Sequence, residues 1–222
     1  MMLKAVIFDM DGVLVDSERF HKETEIEIFR KHGVKTSWDE LSSFTGMADS
    51  KLFEHFIREH SLDVTPEQLA DEKTGFLMES IKGRLRCMPG AVELIRNLKG
   101  RDVKIGLATS SKKRVALGFL DELGIRSSFD SILTADEVQN AKPDPEIYRK
   151  ASETLDAKPE ECIVIEDSGK GIKAARSAGI ACIGLKSADS INQDLGGADL
   201  IIESLEELDN AKIRELIDKG DN

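Results

Sequence analysis

Two aspartates separated by one residue, Asp9 and Asp11, are the first candidates for chemistry in this sequence. Two carboxylates spaced in this way point in the same direction if the backbone stays extended, and Gly12 lets the chain turn sharply after them. One carboxylate can attack as a nucleophile and form an aspartyl-phosphate, while its neighbour acts as general acid and base. Taken alone, the same residues are as typical of an Asx turn at a strand end.

A run of hydroxyl side chains, Thr109, Ser110 and Ser111, follows the apolar stretch KIGLA and precedes the basic triplet at 112–114. Hydroxyls and free backbone N–H groups at a helix N-terminus bind anions, and nearby cations strengthen the positive field. A helix cap followed by a solvated basic turn accounts for the same residues. The sequence leaves both interpretations open.

Two further clusters add one cation and two acids. Lys142 lies in the segment AKPDP, whose prolines fix the backbone, and its ammonium can balance phosphate and carboxylate charge. Glu166 and Asp167 end the apolar run CIVI, and with Asp9 they can hold Mg²⁺, which takes a few carboxylates together with water and substrate phosphate. A surface lysine in a proline turn and a capped strand end are the structural alternatives.

Short apolar runs and helical patterns alternate along the chain and must position these clusters. The runs are nearly continuous in Val, Ile, Leu and Ala, which is typical of parallel strands covered on both faces. The alternation predicts an α/β fold with a doubly wound, Rossmann-like parallel sheet, whose ligands bind outside the carboxyl ends of the strands. The predicted strands are 4–8, 104–108, 131–134, 162–165, 180–185 and 200–202, and the predicted helices are 112–123, 144–155, 169–178 and 205–217.

The segment 17–82 breaks this alternation. It contains three helical patterns, 18–32, 49–59 and 66–81, and no convincing strand. Thr65, Pro66 and Gln68 have the spacing of a capping box at the start of the third helix. We therefore predict a helical domain at 17–82, inserted into a core that consists of 1–16 and 83–222.

The charge balance disfavours several classes of partner. The 222 residues include 31 Lys plus Arg against 42 Asp plus Glu, a formal net charge of −11. Such a surplus disfavours binding to nucleic acid or to anionic membranes. Three cysteines without a metal-site or disulfide pattern, and the absence of an apolar run of about 20 residues, favour a reducing, cytoplasmic protein. We expect no nucleic-acid or membrane partner, and a monomer.

Four segments together resemble the four motifs of the haloacid dehalogenase superfamily. They are DMDGVLVDSE at 9–18, LATSS at 107–111, AKPDPEIY at 141–148 and VIEDSGKGIKAARSAG at 164–179. The resemblance covers nearly the whole chain and is closest to the branch of β-phosphoglucomutases and sugar-phosphate phosphatases. It implies a Rossmann-like core in which the inserted helical domain is a cap that closes over the site.

The resemblance also implies a role for each core residue. Asp9 is expected to be the nucleophile and Asp11 the general acid and base, and this second Asp points to phosphate rather than halide chemistry. Thr109, Ser110 and Lys142 are expected to bind the transferring phosphoryl group. The Mg²⁺ ligands are expected to be the side chains of Asp9, Glu166 and Asp167 and the backbone carbonyl of Asp11.

Four residues of the inserted domain bear on the choice between mutase and phosphatase. His21 and Lys73 match or lie near a His and a Lys of the mutase that assist catalysis and contact substrate. The mutase also has a cap Arg that grips a second phosphate, and here Asp49 falls at or near that position, with Lys51 close by. Because a carboxylate repels a distal phosphate, we expect hydrolysis rather than phosphoryl exchange.

The sequence therefore predicts a Mg²⁺-dependent phosphatase that acts on a small phosphorylated metabolite through an aspartyl-phosphate, with a sugar phosphate as the expected substrate. One alternative is a phosphosugar mutase of the β-phosphoglucomutase type. The other is a non-enzymatic, receiver-like phospho-acceptor, which also uses acids, a hydroxyl and a lysine on a doubly wound sheet.

Overall fold

Parallel pairing of six short strands forms one sheet in the computed structural model, which describes residues 2–44, 47, 49–187, 193–209, 212, 213 and 216. The strand order is β3-β2-β1-β4-β5-β6, and all pairings are parallel. The predicted doubly wound α/β fold is confirmed. The strands are β1 (Ala5–Phe8), β2 (Lys104–Ala108), β3 (Ser131–Leu133), β4 (Cys162–Glu166), β5 (Ala181–Leu185) and β6 (Leu200–Ile202).

Burial explains why these runs form strands. All residues of β1 and β4 are buried, which matches apolar runs covered on both faces rather than an alternating pattern. The helices of the described residues are α1 (Glu18–Lys31), α2 (Trp38–Ser42), α3 (Asp49–His60), α4 (Pro66–Ser80), α5 (Ala91–Lys99), α6 (Lys113–Glu122), α7 (Glu146–Thr154) and α8 (Gly169–Ser177). Of these, α5, α7 and α8 pack on the strands.

The position of β1 fixes where a ligand site can form. β1 lies between β2 and β4, so the strand order proceeds from β1 to β2 and β3 on one side and from β4 to β5 and β6 on the other. In open parallel sheets, this reversal opens a crevice at the carboxyl ends of the strands. The four clusters singled out from the sequence lie at or near this edge.

The chain divides into two compact units. One consists of Met1–Asp16 and Leu85–Asn222 and contains the sheet, and the other consists of Ser17–Arg84 and contains α1 to α4. The helical unit has its own core, in which the rings of Phe29 and Phe56 stack with their centroids 4.0 Å apart. Thr65 and Gln68 form the capping box at the start of α4, as the sequence predicts.

Two helices and one helix boundary differ from the sequence prediction. The sequence interpretation did not include α2 and α5. The predicted helix at 205–217 is wrong at its start, because a 3-10 turn spans Leu205–Glu207 and the backbone of Leu208 is extended. Of the remaining positions in that prediction, 210, 211, 214, 215 and 217 lie outside the described residues.

The cysteines and the helices give two further observations. All three cysteines are free, and Cys162 and Cys182 are buried. Burial raises the pKa of the Cys162 thiol to about 12.

Among the helices in the described part of the chain, none is long and apolar enough to cross a membrane.

Candidate active site

Strand register brings the predicted site residues together. Phe8 of β1 pairs with Leu107 of β2 and with Ile165 of β4. The residues that follow these three are Asp9, Ala108 and Glu166, respectively. They therefore lie side by side at the carboxyl edge of the sheet. The N–H of Asp9 extends the ladder by donating to the carbonyl of Ile165 over 3.0 Å.

Lys142 joins these three positions through its ammonium group. Its Nζ donates to Asp9 Oδ1 at 2.6 Å, to Glu166 Oε1 at 2.8 Å and to the carbonyl of Ala108 at 2.9 Å. Only 5% of the side chain is exposed. Burial opposes the charged form, but the charges of Asp9 and Glu166 outweigh it and raise the pKa of Lys142. The lysine is therefore a fixed cation directly against the predicted nucleophile.

Glu166 accepts hydrogen bonds on both carboxylate oxygens. Oε1 accepts from Lys142 and from the hydroxyl of Tyr148, and Oε2 accepts from the N–H of Asp167 and from the N–H and Oγ of Ser168. Burial alone raises the pKa of this carboxyl group, but Lys142 and these donors outweigh burial and lower it. The sequence predicts Glu166 as a Mg²⁺ ligand, and this role stays a prediction. In the structure, Glu166 anchors Lys142.

Asp11 is held by a residue to which the sequence analysis assigned no role. Ser111 Oγ donates to Asp11 Oδ2 at 2.8 Å, and the N–H of Ser111 donates to Thr109 Oγ1 at 3.0 Å. Thr109 is buried, whereas Ser110 is exposed. Ser111 lies within the hydroxyl run seen in the sequence, but nothing in the spacing indicates which of the three hydroxyls contacts Asp11.

Gly12 and Asp167 approach each other closely. Gly12 has a φ of +76°, and a Cβ at this position would lie 2.1 Å from Asp167 Oδ2. Only glycine therefore allows the loop after β1 to pass beside this carboxylate. Burial, together with the charges of Asp9, Glu166 and Asp11, raises the pKa of Asp167 to about 9, although Lys142 opposes the shift.

The charges at this edge fit a divalent cation. Burial raises the pKa of Asp9 to about 7, and the charges of Glu166 and Asp11 act in the same direction against that of Lys142. Within the described residues, no set of three or more acidic, His or Cys side chains is arranged around a metal position. Mg²⁺ does not need such a set, since one or two carboxylates with water and substrate phosphate suffice. Asp9 and Asp167 fit this requirement.

The loop that carries Lys142 is organised by Glu146 at the start of α7. Its carboxylate accepts from the N–H groups of Gln139 and Asn140 and from Lys150 Nζ. The hydrogen bond from Lys150, followed by those from the two backbone N–H groups, lowers the pKa of Glu146 to about 2. The carboxylate thus ties both ends of the segment 139–146 together.

Lys113, the middle residue of the basic triplet 112–114, has two acidic partners in the protein. The N–H of Lys113, at the first turn of α6, donates to Asp136 Oδ2 at 2.6 Å. Its ammonium lies 3.0 Å from Glu137 Oε1. The carboxylate of Asp136 therefore accepts from the first turn of α6, whereas the N-cap residue Lys112 makes no side-chain capping bond.

In the helical unit, Lys73 is buried and paired with two acids. Its Nζ lies 2.6 Å from Glu25 Oε1 and 2.7 Å from Asp49 Oδ1, and 6% of its side chain is exposed. The charges of Asp49 and Glu25 raise the pKa of Lys73 against the effect of burial. Asp49, predicted to oppose a distal phosphate, instead neutralises this lysine within the unit.

The other two predicted residues of the helical unit lie on different helices. His21 is partly buried in α1, and Lys51 is exposed on α3. Two residues of the predicted Gly-containing segment before α3, Gly46 and Ala48, lie outside the described residues. The contribution of His21 and Lys51 to substrate binding stays a prediction.

Comparisons with known proteins agree on one family. The model of the family described as haloacid dehalogenase-like hydrolase matches residues 6–185. The chain is 35% identical over 210 residues to validoxylamine A 7'-phosphate phosphatase of Streptomyces hygroscopicus subsp. limoneus, covering 93% of this chain and 96% of that protein.

Two solved structures share the fold over nearly the full length of both chains. CbbY from Rhodobacter sphaeroides, in complex with xylulose-(1,5)bisphosphate, superposes with a TM-score of 0.85 at 27% identity, over 93% of this chain and 96% of that one. The β-phosphoglucomutase from Clostridium difficile gives 0.81 at 28% identity, over 98% of both. The match to the family model covers most of the chain, including all four motifs, and the chain therefore belongs to the haloacid dehalogenase-like hydrolases.

Proposed function

We propose that this chain is a Mg²⁺-dependent phosphatase that hydrolyses a small phosphate monoester, a phosphorylated sugar or similar polyol, through an aspartyl-phosphate. The observation that carries the proposal is the buried contact of Asp9 with Lys142 at the end of the central strand. The chain is thus a phosphoric monoester hydrolase, and the relatives named as phosphatases support this class.

The first chemical step uses Asp9 and Asp11. Lys142 engages Oδ1 of Asp9, and we assign the other oxygen to attack phosphorus in line with the leaving group. As the Asp9–phosphorus bond forms and the bond to the leaving oxygen breaks, Asp11 donates a proton to that oxygen. Ser111 Oγ donates to Oδ2 of Asp11, and we propose that this hydrogen bond orients the carboxyl group for the proton transfer.

The second step uses Asp11 as a base. Its carboxylate takes a proton from water, the oxygen of that water attacks the phosphorus of the aspartyl-phosphate, and inorganic phosphate and free Asp9 result. In both steps, Lys142 offsets negative charge on the phosphoryl oxygens, which is the main task in phosphoryl transfer. Thr109 and Ser110 are proposed to donate hydrogen bonds to the same oxygens.

Asp9, Asp167 and the backbone carbonyl of Asp11 are the proposed Mg²⁺ ligands. When bound, Mg²⁺ supplies Lewis-acid stabilisation of the charge that develops on the phosphoryl group. Glu166 has a supporting position instead, because its oxygens accept hydrogen bonds from Lys142 and from residues 148, 167 and 168.

The substrate class rests on the relatives. One is named for phosphorylated carbohydrates, from Thermotoga maritima, and another for fructose 1-phosphate, from Escherichia coli. We propose a phosphorylated metabolite of this kind, with no nucleic-acid or membrane partner. A screen of phosphate release across sugar phosphates, nucleotides and phosphoglycolate identifies the preferred leaving group.

Asp9→Asn tests the nucleophile. We expect Mg²⁺-dependent phosphate release from a model monoester to fall by roughly 10³-fold or more, because the amide cannot form the phosphoenzyme. Asp102→Asn, in the exposed turn before β2, changes the same atoms far from the sheet edge and should keep full activity. Full turnover by Asp9→Asn would refute the assignment.

A mutase is the second candidate, because solved structures titled as β-phosphoglucomutases share this fold. ³¹P NMR on β-glucose 1-phosphate with a bisphosphate primer separates the two activities. Release of glucose and inorganic phosphate supports the phosphatase, and accumulation of glucose 6-phosphate supports the mutase. Membership of a hydrolase family speaks against the receiver-like alternative.

A further inference from the structure

Tyr148 lies in α7 and is the single tyrosine of the chain. It is fully buried, and its hydroxyl donates to Glu166 Oε1 at 2.8 Å. A buried phenol usually places its hydroxyl on a specific partner, and here the partner is a carboxylate, which makes the hydrogen bond a strong one. The motif AKPDPEIY includes Tyr148, but the sequence alone assigned this residue no separate role.

The acceptor of Tyr148 is also an acceptor of Lys142. Glu166 Oε1 accepts one hydrogen bond from the Tyr148 hydroxyl and one from Lys142 Nζ, each over a heavy-atom distance of 2.8 Å. The ring of Tyr148 lies beside the same ammonium, with Nζ 4.8 Å from the ring centroid. Tyr148 thus contacts the lysine in two ways, through the shared oxygen and through the face of the ring.

A hydrogen-bonded chain therefore runs from the helix to the predicted nucleophile. The Tyr148 hydroxyl donates to Glu166 Oε1, and the same oxygen accepts a hydrogen bond from Lys142 Nζ. Lys142 Nζ donates a second hydrogen bond to Asp9 Oδ1 over 2.6 Å. Burial, together with the charges of Glu166 and Asp9, raises the pKa of Tyr148, so the phenol stays a donor.

We propose that Tyr148 is a positioning residue for the reaction, which acts through Glu166 on the placement of Lys142 and Asp9. This proposal rests on the proposed phosphatase activity. Without the hydroxyl, Oε1 keeps only its bond from Lys142, and the ammonium is free to move toward Glu166 and away from Asp9. Removal of the hydroxyl should lower kcat rather than raise KM, because Tyr148 contacts Glu166 and Lys142 and is not proposed to contact the leaving group.

A double-mutant cycle tests this coupling. Tyr148→Phe keeps the buried ring and removes only the hydroxyl, and Lys142→Ala removes the group through which it is proposed to act. With Lys142 present, Tyr148→Phe should lower kcat about tenfold and change KM by less than about twofold. In the Lys142→Ala background, the same replacement should change kcat by less than about twofold. A packing defect alone lowers kcat by the same factor in both backgrounds.

A binding measurement that needs no turnover completes the test. The Kd of orthovanadate, a phosphoryl transition-state analogue, in the presence of Mg²⁺, measured by calorimetry, should rise on Tyr148→Phe only while Lys142 is present. Equal effects in both backgrounds, or an unchanged kcat and Kd, overturn the positioning role. Failure of the phosphatase proposal gives a different result, since the wild type itself would then release no phosphate from any monoester of the screen, whatever occupies position 148.

Discussion

At the scale of single residues, the Glu146 carboxylate determines the shape of the loop that presents Lys142. Its pKa lies at about 2 instead of 4.5 because it accepts hydrogen bonds from Lys150 and from the N–H groups of Gln139 and Asn140. A carboxyl group whose pKa is depressed by folding stabilises the folded state above its unfolded pKa. That contribution is lost as the pH falls from about 4.5 through about 2.

Replacement of Glu146 by Gln should show this pH window. We expect Glu146→Gln to lower the free energy of unfolding at pH 7, because the amide accepts weaker hydrogen bonds and has no charge for Lys150. The difference from the wild type should shrink steadily as the pH falls below about 4.5, since the carboxyl group then gains a proton in the unfolded state while it is still ionised in the folded state. Urea unfolding of both proteins at pH 7, 5 and 3 measures it, and a constant difference would contradict the assigned pKa.

Gly12 allows a sharp test of the proposed metal ligand Asp167. A Cβ at Gly12 would collide with Asp167 Oδ2, so Gly12→Ala should displace this carboxylate and weaken apparent Mg²⁺ affinity by about 10-fold or more. Gly124 is the matched control, because its φ is also positive (+66°) but no heavy atom lies within 4 Å of its added Cβ. Mg²⁺ titration of phosphate release compares the two variants; equal affinities would remove Asp167 from the proposed site.

The sequence indicates which residues meet at this site but not how they share hydrogen bonds. Asp9, Asp11 and Lys142 follow from motif and strand position. The contacts of Ser111 with Asp11 and of Tyr148 with Glu166 join residues 100 and 18 positions apart, and no local pattern encodes them. For the same reason, the sequence predicts Glu166 as a metal ligand but does not indicate that both of its oxygens accept hydrogen bonds from protein donors.

At the scale of elements, apolar continuity was sufficient to predict the strands. β4 is buried throughout, and its first four residues, CIVI, form a continuous apolar run. Helix α5 was missed because its N-cap, Gly90, offers no side-chain capping bond, and so the helix has no start signal. Helix α2 is only five residues long, too short for a period to appear.

We expect replacement by Ala to have opposite effects on stability at two helical glycines. Gly75 in α4 has open space around an added Cβ, so Gly75→Ala should stabilise the protein by up to about 1 kcal/mol through helix propensity. In α8, a Cβ on Gly171 would lie 1.6 Å from Glu166 Oε1, so Gly171→Ala should destabilise by about 1–3 kcal/mol and displace the anchor of Lys142. Thermal melts and phosphate release of both variants measure the difference; stabilisation by Gly171→Ala would contradict the described packing.

At the scale of the whole molecule, the net charge disfavours one class of partner, whereas the charges at the site favour binding of a metal and a phosphate. A formal charge of −11 disfavours polyanionic partners, but part of the acidic surplus is the site itself. Asp9 and Asp167 are the acids proposed to bring a dication, and Lys142 supplies a cation where phosphate is expected. Composition therefore bounds the class of partner without describing the site.

We expect Mg²⁺ and inorganic phosphate to raise the thermal stability of the sheet-containing unit, because that unit contains all the proposed metal ligands. Mg²⁺ with inorganic phosphate at about 100 times its Kd should stabilise the sheet-containing unit by about 2.7 kcal/mol, which raises its melting temperature by about 5–10 °C. The helical unit has its own core and supplies none of the proposed metal ligands. Calorimetry with and without the ligands, using Asp167→Asn as the control, measures the shift; the same shift in the control would contradict the proposed site.

The strand order also has a consequence for synthesis of the chain. β1 is made first, yet its neighbours in the sheet, β2 and β4, begin at Lys104 and Cys162. During translation, its apolar segment therefore waits with both hydrogen-bonding edges open, the state in which a strand is most prone to aggregate or to need a chaperone. The predicted nucleophile at its end cannot meet Lys142 and Glu166 until some three-quarters of the chain has been made, so a truncated nascent chain carries Asp9 without its chemistry.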